Sequence, residues 1–260
     1  MDFLLVHNRK VEVQWHGCGH TNTPTLVFLH EGLGSTCLWK EFPRMLSQRT
    51  QCNALVFSRL GYGRSDPVAL PRKINFMHQE ALEFLPAVLA AARIRDHIII
   101  GHSDGGSIGI IYAGSRHATR LRGLITEAAH VFCEPLTVDG IRNAKHQYLH
   151  QDLKKRLEKY HGPNTETAFW GWNAAWLAPG FKHWNIEKYL KQIQVPLLAV
   201  QGRQDPYGTP AQLAAIASGV KDCKAHLIKH CRHAPHQEQQ EVVLSLMAGF
   251  IQALLPPKTI

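Results

Sequence analysis

The stretch IIIGHSDGGSIGIIYAG, residues 98–114, decides the fold. Three isoleucines run into a glycine-rich turn and a second apolar run begins at once, which is typical of a strand followed directly by a helix. Gly101, Ser103 and Gly105 fit the pattern G-x-S-x-G of a nucleophile elbow. So tight a turn strains the backbone of Ser103 and leaves no room for side chains two positions before or after it, which accounts for both glycines. The stretch therefore predicts a serine nucleophile raised at the end of a strand.

Two later loops carry candidate partners for Ser103, without which the motif fits an ordinary glycine-rich turn equally well. A serine hydroxyl is a weak nucleophile until a base takes its proton, and the base needs a carboxylate to orient it. Asp205 follows the predicted strand 196–202, and His233 follows the predicted strand 224–229. The chain order Ser, Asp, His suits an elbow of this kind, and strand carboxyl ends are where open α/β sheets place their chemistry. We therefore predict a catalytic triad of Ser103, Asp205 and His233.

The loop LVFLHEGLGSTCLW, residues 26–39, offers a donor for the oxygen that becomes negative during acyl transfer. We predict an oxyanion hole built from the backbone N–H of Gly32, in this loop, and that of Asp104, directly after Ser103. Gly34 helps the same loop to turn. The helix that begins after Ser103 also points its positive end at this place.

Short apolar runs alternate with helix-period segments along most of the chain, which indicates a mostly parallel sheet with helices on both faces. The first two runs, joined by HNRK, favour an antiparallel hairpin at the sheet edge. The predicted strands are 2–6, 10–15, 25–30, 53–58, 96–101, 121–127, 196–202 and 224–229. The predicted helices are 36–48, 76–93, 104–116, 210–218 and 237–254.

Residues 133–190 break this alternation, with several short helical segments and no convincing strand. An insertion here would lie over the carboxyl edge of the sheet as a cap, dividing the chain into a core of 1–132 and 191–260 and a helical cap of 133–190. Four tryptophans within fifteen residues give the cap a large apolar surface that would bind substrate or anchor the cap to the core. They are Trp170, Trp172, Trp176 and Trp184.

Length and composition fit one large α/β domain, since the chain has 260 residues of which 45% are hydrophobic. The formal net charge is +9, but the basic residues are scattered, which favours a solvated surface over binding to nucleic acid or an anionic membrane. No stretch approaches the ~20 apolar residues of a membrane span, and the apolar run in MDFLLVHNRK is too short for a signal peptide. We expect a cytoplasmic protein that acts on a small molecule and binds neither nucleic acid nor membrane.

The six cysteines show no paired spacing, which predicts free thiols in a reducing compartment. The loop HCRHAPH, residues 230–236, could be read as a metal cluster, but a zinc site needs a second ligand pair, and the histidines of HGCGH at 16–20 lie in the opening hairpin. We expect no metal, and we assign His236 to packing or to support of His233.

Together, LVFLHEGLGS, SRLGYGRSDP, GHSDGGS, GRQD and CRHAPHQEQ make the chain resemble the α/β-hydrolase superfamily, in its capped, cofactor-free, esterase-like branch. The resemblance implies an eight-stranded, mostly parallel sheet with a helical lid after the sixth strand, no cofactor, and the triad named above. Two positions depart from the family pattern, because Glu31 and Arg232 stand where glycine is usual. Glu31 could bind substrate by attracting cations or disfavouring anions, although an exposed carboxylate without a role is the favoured interpretation.

These patterns predict a serine carboxylesterase that cleaves small to medium apolar or aromatic esters through an acyl-enzyme intermediate. Hydrolysis of carbon–carbon bonds in meta-cleavage-type dienoates uses the same triad and lid and stays open, as does cofactor-free perhydrolysis or lyase chemistry. A non-catalytic receptor is the alternative from another class, because fold does not dictate function. Dehalogenase chemistry is disfavoured, since its nucleophile would be an aspartate where this chain has Ser103.

Overall fold

A computed structural model describes residues 2–17 and 23–255. Its eight strands are β1 Asp2–Val6, β2 Arg9–His16, β3 Thr25–Leu29, β4 Ala54–Phe57, β5 His97–His102, β6 Leu121–Glu127, β7 Leu197–Gly202 and β8 Cys223–Ile228. They form one sheet in the order β1-β2-β4-β3-β5-β6-β7-β8. The strands from β3 to β8 are parallel, whereas β2 pairs antiparallel with both β1 and β4. The predicted eight-stranded, mostly parallel sheet is confirmed, with its hairpin at one edge.

The α-helices cover both faces of this sheet. They are α1 Phe42–Thr50, α2 Phe76–Gln79, α3 Leu85–Ala91, α4 Asp104–Ala113, α5 Pro135–His150, α6 Leu153–His161, α7 Thr165–Trp176, α8 Glu187–Leu190, α9 Pro210–Gly219, α10 Pro235–Glu238 and α11 Gln240–Leu254. Alternate side chains of a strand point to opposite faces. Accordingly, Leu26 and Phe28 join one apolar core with α1 and α11, and Val27 and Leu29 join the other with α3 and α4.

Three of the predicted helices differ in detail from the observed ones; one of them, 237–254, begins inside α10 and is interrupted at Gln239 before α11. Residues 36–48 do not form a single helix: a 3₁₀ turn, Thr36–Trp39, ends at Lys40, whose φ is +52°, and α1 begins at Phe42. Pro43 favours this later start, because proline lacks the N–H that only the first helical turn can spare. Residues 76–91 form one continuous helical segment in which a π-helical stretch, Glu80–Phe84, separates α2 from α3.

The segment between β6 and β7, residues 133–190, contains α5 to α8 and two 3₁₀ turns, Gly162–Asn164 and Pro179–His183. We call it the helical insertion. Its two ends meet, since Phe132 forms an isolated bridge with Asn185 and the N–H of Ile186 donates to the carbonyl of Val131 at 2.7 Å. The division of the chain into a core domain and a cap domain stays a prediction.

Across residues 2–17 and 23–255, no helix is long and apolar enough to cross a membrane. Four cysteines, Cys37, Cys133, Cys223 and Cys231, carry free thiols. Cys18, and with it most of the HGCGH stretch, lies outside the described residues.

Candidate active site

Ser103 lies between the end of β5 and the start of α4, at the centre of the sheet. Its φ of +52° and ψ of −117° place it in a conformation that side-chain-bearing residues rarely adopt. A Cβ on Gly101 would lie 2.3 Å from the carbonyl oxygen of Gly105, and a Cβ on Gly105 would lie 2.0 Å from that of Leu29 in β3. Ser103 thus has the strained backbone that the sequence predicts for a tight strand-to-helix turn, and the clashes that require the two glycines are with backbone, one of them in a neighbouring strand.

Asp205 and His233 lie in the loops after β7 and β8, and the structure brings their side chains together. Nδ1 of His233 lies 2.8 Å from Oδ1 and 3.0 Å from Oδ2 of Asp205. The backbone N–H of Tyr207 also donates to Oδ1, at 2.8 Å. Burial alone would raise the pKa of Asp205, but the facing imidazole and the Tyr207 N–H lower it below its usual value. Asp205 is thus an ionised acceptor that holds the proton of His233 on Nδ1.

A cavity of about 90 Å³ brings Ser103 and His233 together with both predicted oxyanion donors, Gly32 and Asp104. Its walls come from the core and from the helical insertion. The lining residues are Glu31, Gly32, Leu33, Ser103, Asp104, His130, Thr137, Ile141, Trp172, Trp176, Tyr207 and His233.

The peptide that joins Glu31 to Gly32 is held in a fixed orientation by buried groups. The Glu31 carbonyl accepts from Nδ1 of His30 at 2.7 Å, from Nη2 of Arg59 at 2.9 Å and from the N–H of Gly34 at 3.1 Å. In a planar trans peptide the C=O and N–H point in opposite directions, so these donors also aim the N–H of Gly32. Sequence reasoning missed Arg59, whose role depends on contacts between β4 and the loop after β3.

Trp172 explains why position 32 requires glycine. A Cβ on Gly32 would lie 2.2 Å from Cδ1 and Nε1 of the indole. The backbone of the predicted oxyanion loop thus packs directly against α7 of the helical insertion.

Two of the four predicted substrate-binding tryptophans reach the cavity. Trp172 and Trp176 are four residues apart on one face of α7 and both line it. Trp170 lies on the opposite face, where its Nε1 donates to Glu166 at 2.8 Å. Trp184 stacks on Phe181 at 5.3 Å between ring centroids. Trp170 and Trp184 are not among the residues that line the cavity, and both pack against other side chains of the insertion.

Glu31 is not the exposed carboxylate that the sequence favoured. Its side chain lines the cavity and is 22% exposed, with Oε2 lying 3.4 Å from Nδ1 of buried His102. Burial alone would raise the pKa of Glu31, but His102 lowers it well below its usual range. The carboxylate is therefore one half of an ion pair with the residue that precedes Ser103.

His236 belongs to a second buried pair, which the sequence did not show. Its Nδ1 lies 2.6 Å from Oε2 of Glu127, the last residue of β6, and both side chains are buried. The ring packs on Trp39 at 4.6 Å between centroids, while the Glu127 carbonyl accepts the N–H of Ser103 at 2.8 Å. The packing role predicted for His236 agrees with this geometry, whereas its contacts are with Glu127, Trp39 and His102 and not with His233. A glutamate at the end of the predicted strand LRGLITE was the available signal for Glu127.

His130 and Asp104 are further titratable groups in the lining of the cavity. Burial, with a smaller contribution from His233, lowers the pKa of His130 to about 4, which makes this imidazole neutral. Burial raises the pKa of Asp104 above its usual value, and its Oδ1 accepts a hydrogen bond from Nε1 of Trp176 at 3.1 Å. This hydrogen bond thus links the first residue of α4 to α7.

Within the described part of the chain, no three His, Cys, Asp or Glu side chains are grouped so as to hold a metal ion.

Comparison with known proteins agrees with this architecture. Residues 26–246 match the model of the alpha/beta hydrolase family. A segment of 98 residues is 36% identical to "Putative carbamate hydrolase RutD" of Pseudomonas syringae pv. syringae (strain B728a), and the match spans 37% of this chain and 36% of that protein.

Several solved structures share the fold at low sequence identity. The enol-lactonase from Burkholderia xenovorans LB400 superposes with a TM-score of 0.76 at 18% identity, covering 96% of this chain and 99% of that one. The meta-cleavage product hydrolase CumD from Pseudomonas fluorescens IP01 gives 0.77 at 16% identity, covering 97% and 98%. Naproxen esterase from Bacillus subtilis gives 0.73 at 19% identity, covering 96% and 90%. Because the family model matches residues 26–246, which is most of this chain, the chain belongs to the alpha/beta hydrolase family.

Proposed function

We propose that the protein is a serine hydrolase that cleaves carboxylic esters with small apolar or aromatic acyl groups through an acyl-enzyme intermediate. The observation that carries the proposal is the Asp205–His233 pair, 2.8 Å apart, whose imidazole shares one cavity with Ser103. A receptor that only binds has no need of a carboxylate that fixes the tautomer of a histidine. The pair therefore favours catalysis over the receptor alternative.

In the acylation step, His233 takes the proton of the Ser103 hydroxyl as the oxygen attacks the ester carbonyl. The carbonyl oxygen becomes an oxyanion that accepts hydrogen bonds from the N–H groups of Gly32 and Asp104. The carbonyl bond then re-forms, the bond to the alkoxy group breaks, and His233 gives its proton to the departing alcohol. Asp205 stabilises the imidazolium throughout.

Deacylation repeats these steps with water in place of Ser103. His233 takes a proton from the water as it attacks the acyl-enzyme, and the same donors hold the second oxyanion. The bond to Ser103 breaks, its oxygen takes the proton back from His233, and the carboxylic acid leaves.

The size of the cavity favours the small end of the predicted substrate range. About 90 Å³ is well below the ~300 Å³ at which drug-sized ligand pockets begin. Trp172, Trp176 and Ile141 supply apolar walls. We therefore expect kcat/KM for p-nitrophenyl esters to be highest at two to four acyl carbons, and a maximum at eight or more would contradict the size argument.

The charges in the cavity favour a neutral ester over a dienoate. Glu31 and Asp104 line it, and the lining that the structure describes contains no lysine or arginine to pair with a substrate carboxylate. Transfer of an anion into such a site without a cationic partner is unfavourable. Equal kcat/KM for a meta-cleavage-type dienoate and for p-nitrophenyl acetate would contradict this preference.

The first experiment compares wild type with Ser103→Ala on a panel of p-nitrophenyl esters, thioesters, lactones, carbamates and dienoates. Loss of the nucleophile lowers kcat by about 10⁶ in enzymes of this kind. Exposed Ser218 provides the matched control Ser218→Ala. Hydrolysis retained by Ser103→Ala would refute the assignment. Labelling of wild type, but not of Ser103→Ala, by a fluorophosphonate identifies the nucleophile whichever substrate is preferred.

A further inference from the structure

His102 connects the elbow to the loop that carries the catalytic base. It ends β5, directly before Ser103, and is almost fully buried. Its Nε2 lies 2.6 Å from the backbone carbonyl oxygen of His233. A carbonyl only accepts, so Nε2 carries a proton and donates it. The ring therefore holds the backbone of the histidine loop at a fixed distance from the elbow.

The other ring nitrogen faces the oxyanion loop. Nδ1 of His102 lies 3.4 Å from Oε2 of Glu31, an ion-pair distance without the alignment of a hydrogen bond. Burial alone would lower the pKa of His102, but Glu31, Glu127 and the His233 carbonyl raise it to about 9. Two further imidazoles face the ring at 5.1 and 5.2 Å between centroids, those of His233 and His236. At neutral pH His102 is thus an imidazolium beside a carboxylate.

We propose that His102 and Glu31 are positioning residues, an ion pair that holds the oxyanion loop, the nucleophile elbow and the loop of the catalytic histidine in one arrangement. Glu31 shares a peptide with Gly32, His102 is bonded to Ser103, and the ring of His102 donates to the backbone of His233. One charged contact thereby links the three groups that must meet around the ester carbonyl. The inference rests on the proposed function, because it assigns these two residues a task in that mechanism.

Small displacements matter here because the reacting groups must be aligned within a fraction of an ångström. A misplacement of about 1 Å lowers rates by roughly 10²-fold. Neither residue needs to touch the acyl group, so the effect falls on kcat more than on KM. For Glu31→Gln and for His102→Gln we expect kcat to fall 10- to 100-fold with KM changed less than about threefold. Glutamine at 102 retains a donor for the His233 carbonyl but removes the charge.

Two measurements separate positioning from a merely structural role. The first is the pH profile of kcat. In wild type, kcat should fall as the pH rises through about 9, because His102 then loses its proton. In Glu31→Gln this alkaline limb of the profile should move to lower pH, because the imidazolium has lost its counter-charge. The second is a double-mutant cycle, in which the double variant is no slower than the slower single variant if the pair acts as a unit. Exposed Glu41 and His183 provide the matched controls Glu41→Gln and His183→Gln.

The readouts are kcat for p-nitrophenyl acetate and the rate of phosphonylation of Ser103 by a fluorophosphonate, each scaled to the folded fraction measured by circular dichroism. Slower phosphonylation and a shifted alkaline limb in Glu31→Gln support the pair. The proposed pair is overturned if both glutamine variants react at wild-type rates. It is also overturned if the losses in kcat of the two single variants add in the double variant and the alkaline limb does not move in Glu31→Gln. Wild type that is labelled yet hydrolyses no ester refutes the proposed function while the labelling rates still test the pair. Wild type that is neither labelled nor active overturns both.

Discussion

Replacement of Asp205 by asparagine tests the candidate triad with the least change in shape. Oδ1 of Asp205 accepts from the N–H of Tyr207 at 2.8 Å, and this donor keeps the oxygen of the asparagine amide at the Oδ1 position. The NH₂ group then takes the Oδ2 position, 3.0 Å from Nδ1 of His233. The amide oxygen still lies 2.8 Å from Nδ1, but it accepts more weakly than a carboxylate and the NH₂ group now faces the same nitrogen, so the tautomer with the proton on Nε2 gains population. In that tautomer His233 cannot accept the proton of Ser103.

The magnitude follows from the charge that is removed. Unit charges about 4 Å apart at an effective dielectric constant of about 20 interact by roughly 4 kcal/mol, which corresponds to about 10³ in rate. The wrong tautomer adds to this loss, and the same change in the general Ser-His-Asp template lowers kcat about 10⁴-fold. We therefore expect kcat of Asp205→Asn to fall by 10³ to 10⁴, with KM changed little.

The assay is p-nitrophenyl acetate hydrolysis at pH 7.5, with circular dichroism melting to show that the variant is folded. Exposed Asp139 lies in the helical insertion and provides the matched control Asp139→Asn, which should retain wild-type kcat. A folded Asp205→Asn protein with kcat within tenfold of wild type would refute the reasoning, because the imidazole would then not depend on this carboxylate.

Three other changes test the surroundings. Gly105→Ala puts a Cβ 2.0 Å from the Leu29 carbonyl oxygen; we expect a loss above about 3 kcal/mol in the free energy of unfolding in urea, and a loss below 1 kcal/mol would contradict the clash. Arg59→Lys removes the guanidinium donor from the Glu31 carbonyl, so kcat should fall about tenfold with KM retained. Equal changes in kcat and KM would contradict an effect through the peptide that joins Glu31 to Gly32. The pKa of His102 rises on folding from 6.5 to about 9, so this residue contributes stability that is complete below pH 6.5 and lost as the pH rises through 9. The free energy of unfolding in urea should therefore decrease between pH 6 and 10. An equal decrease in His102→Gln would contradict this contribution.

The fold could be predicted because its strands are short apolar runs with clear boundaries. Every predicted strand starts and ends within one residue of the observed one. Local signals sufficed, since branched apolar residues and flanking polar or glycine residues specify strands without knowledge of their neighbours. The helix predicted at 36–48 failed because periodicity continued through Lys40, where the backbone leaves the helical region.

The candidate triad could be predicted for the same reason: each of its residues follows a strand that is recognisable by itself. The groups around it could not, because their partners are set by strand neighbours. His102 and Glu127 are adjacent across the β5–β6 pair. The elbow pattern predicted Gly105, but it did not show that the atom which would clash with a side chain there is a carbonyl oxygen of β3. Trp170 and Trp172 lie on opposite faces of α7. Which of these faces lines the cavity depends on how the helical insertion packs against the rest of the protein.

Burial indicates which histidine at this edge is suited to chemistry. Three carboxylate–imidazole pairs surround the elbow: Glu31–His102, Asp205–His233 and Glu127–His236. The side chains of His102 and His236 are 4% and 2% exposed, and their second ring nitrogens face the His233 carbonyl and the Gln237 amide. The His233 side chain is 19% exposed and lines the cavity. A general base must exchange protons with the substrate and with water, so the two enclosed imidazoles can only support the third. The sequence places several histidines near one serine, and the enclosure of His102 and His236 by Trp39, β6 and the oxyanion loop leaves His233 as the member of these three pairs that reaches the cavity.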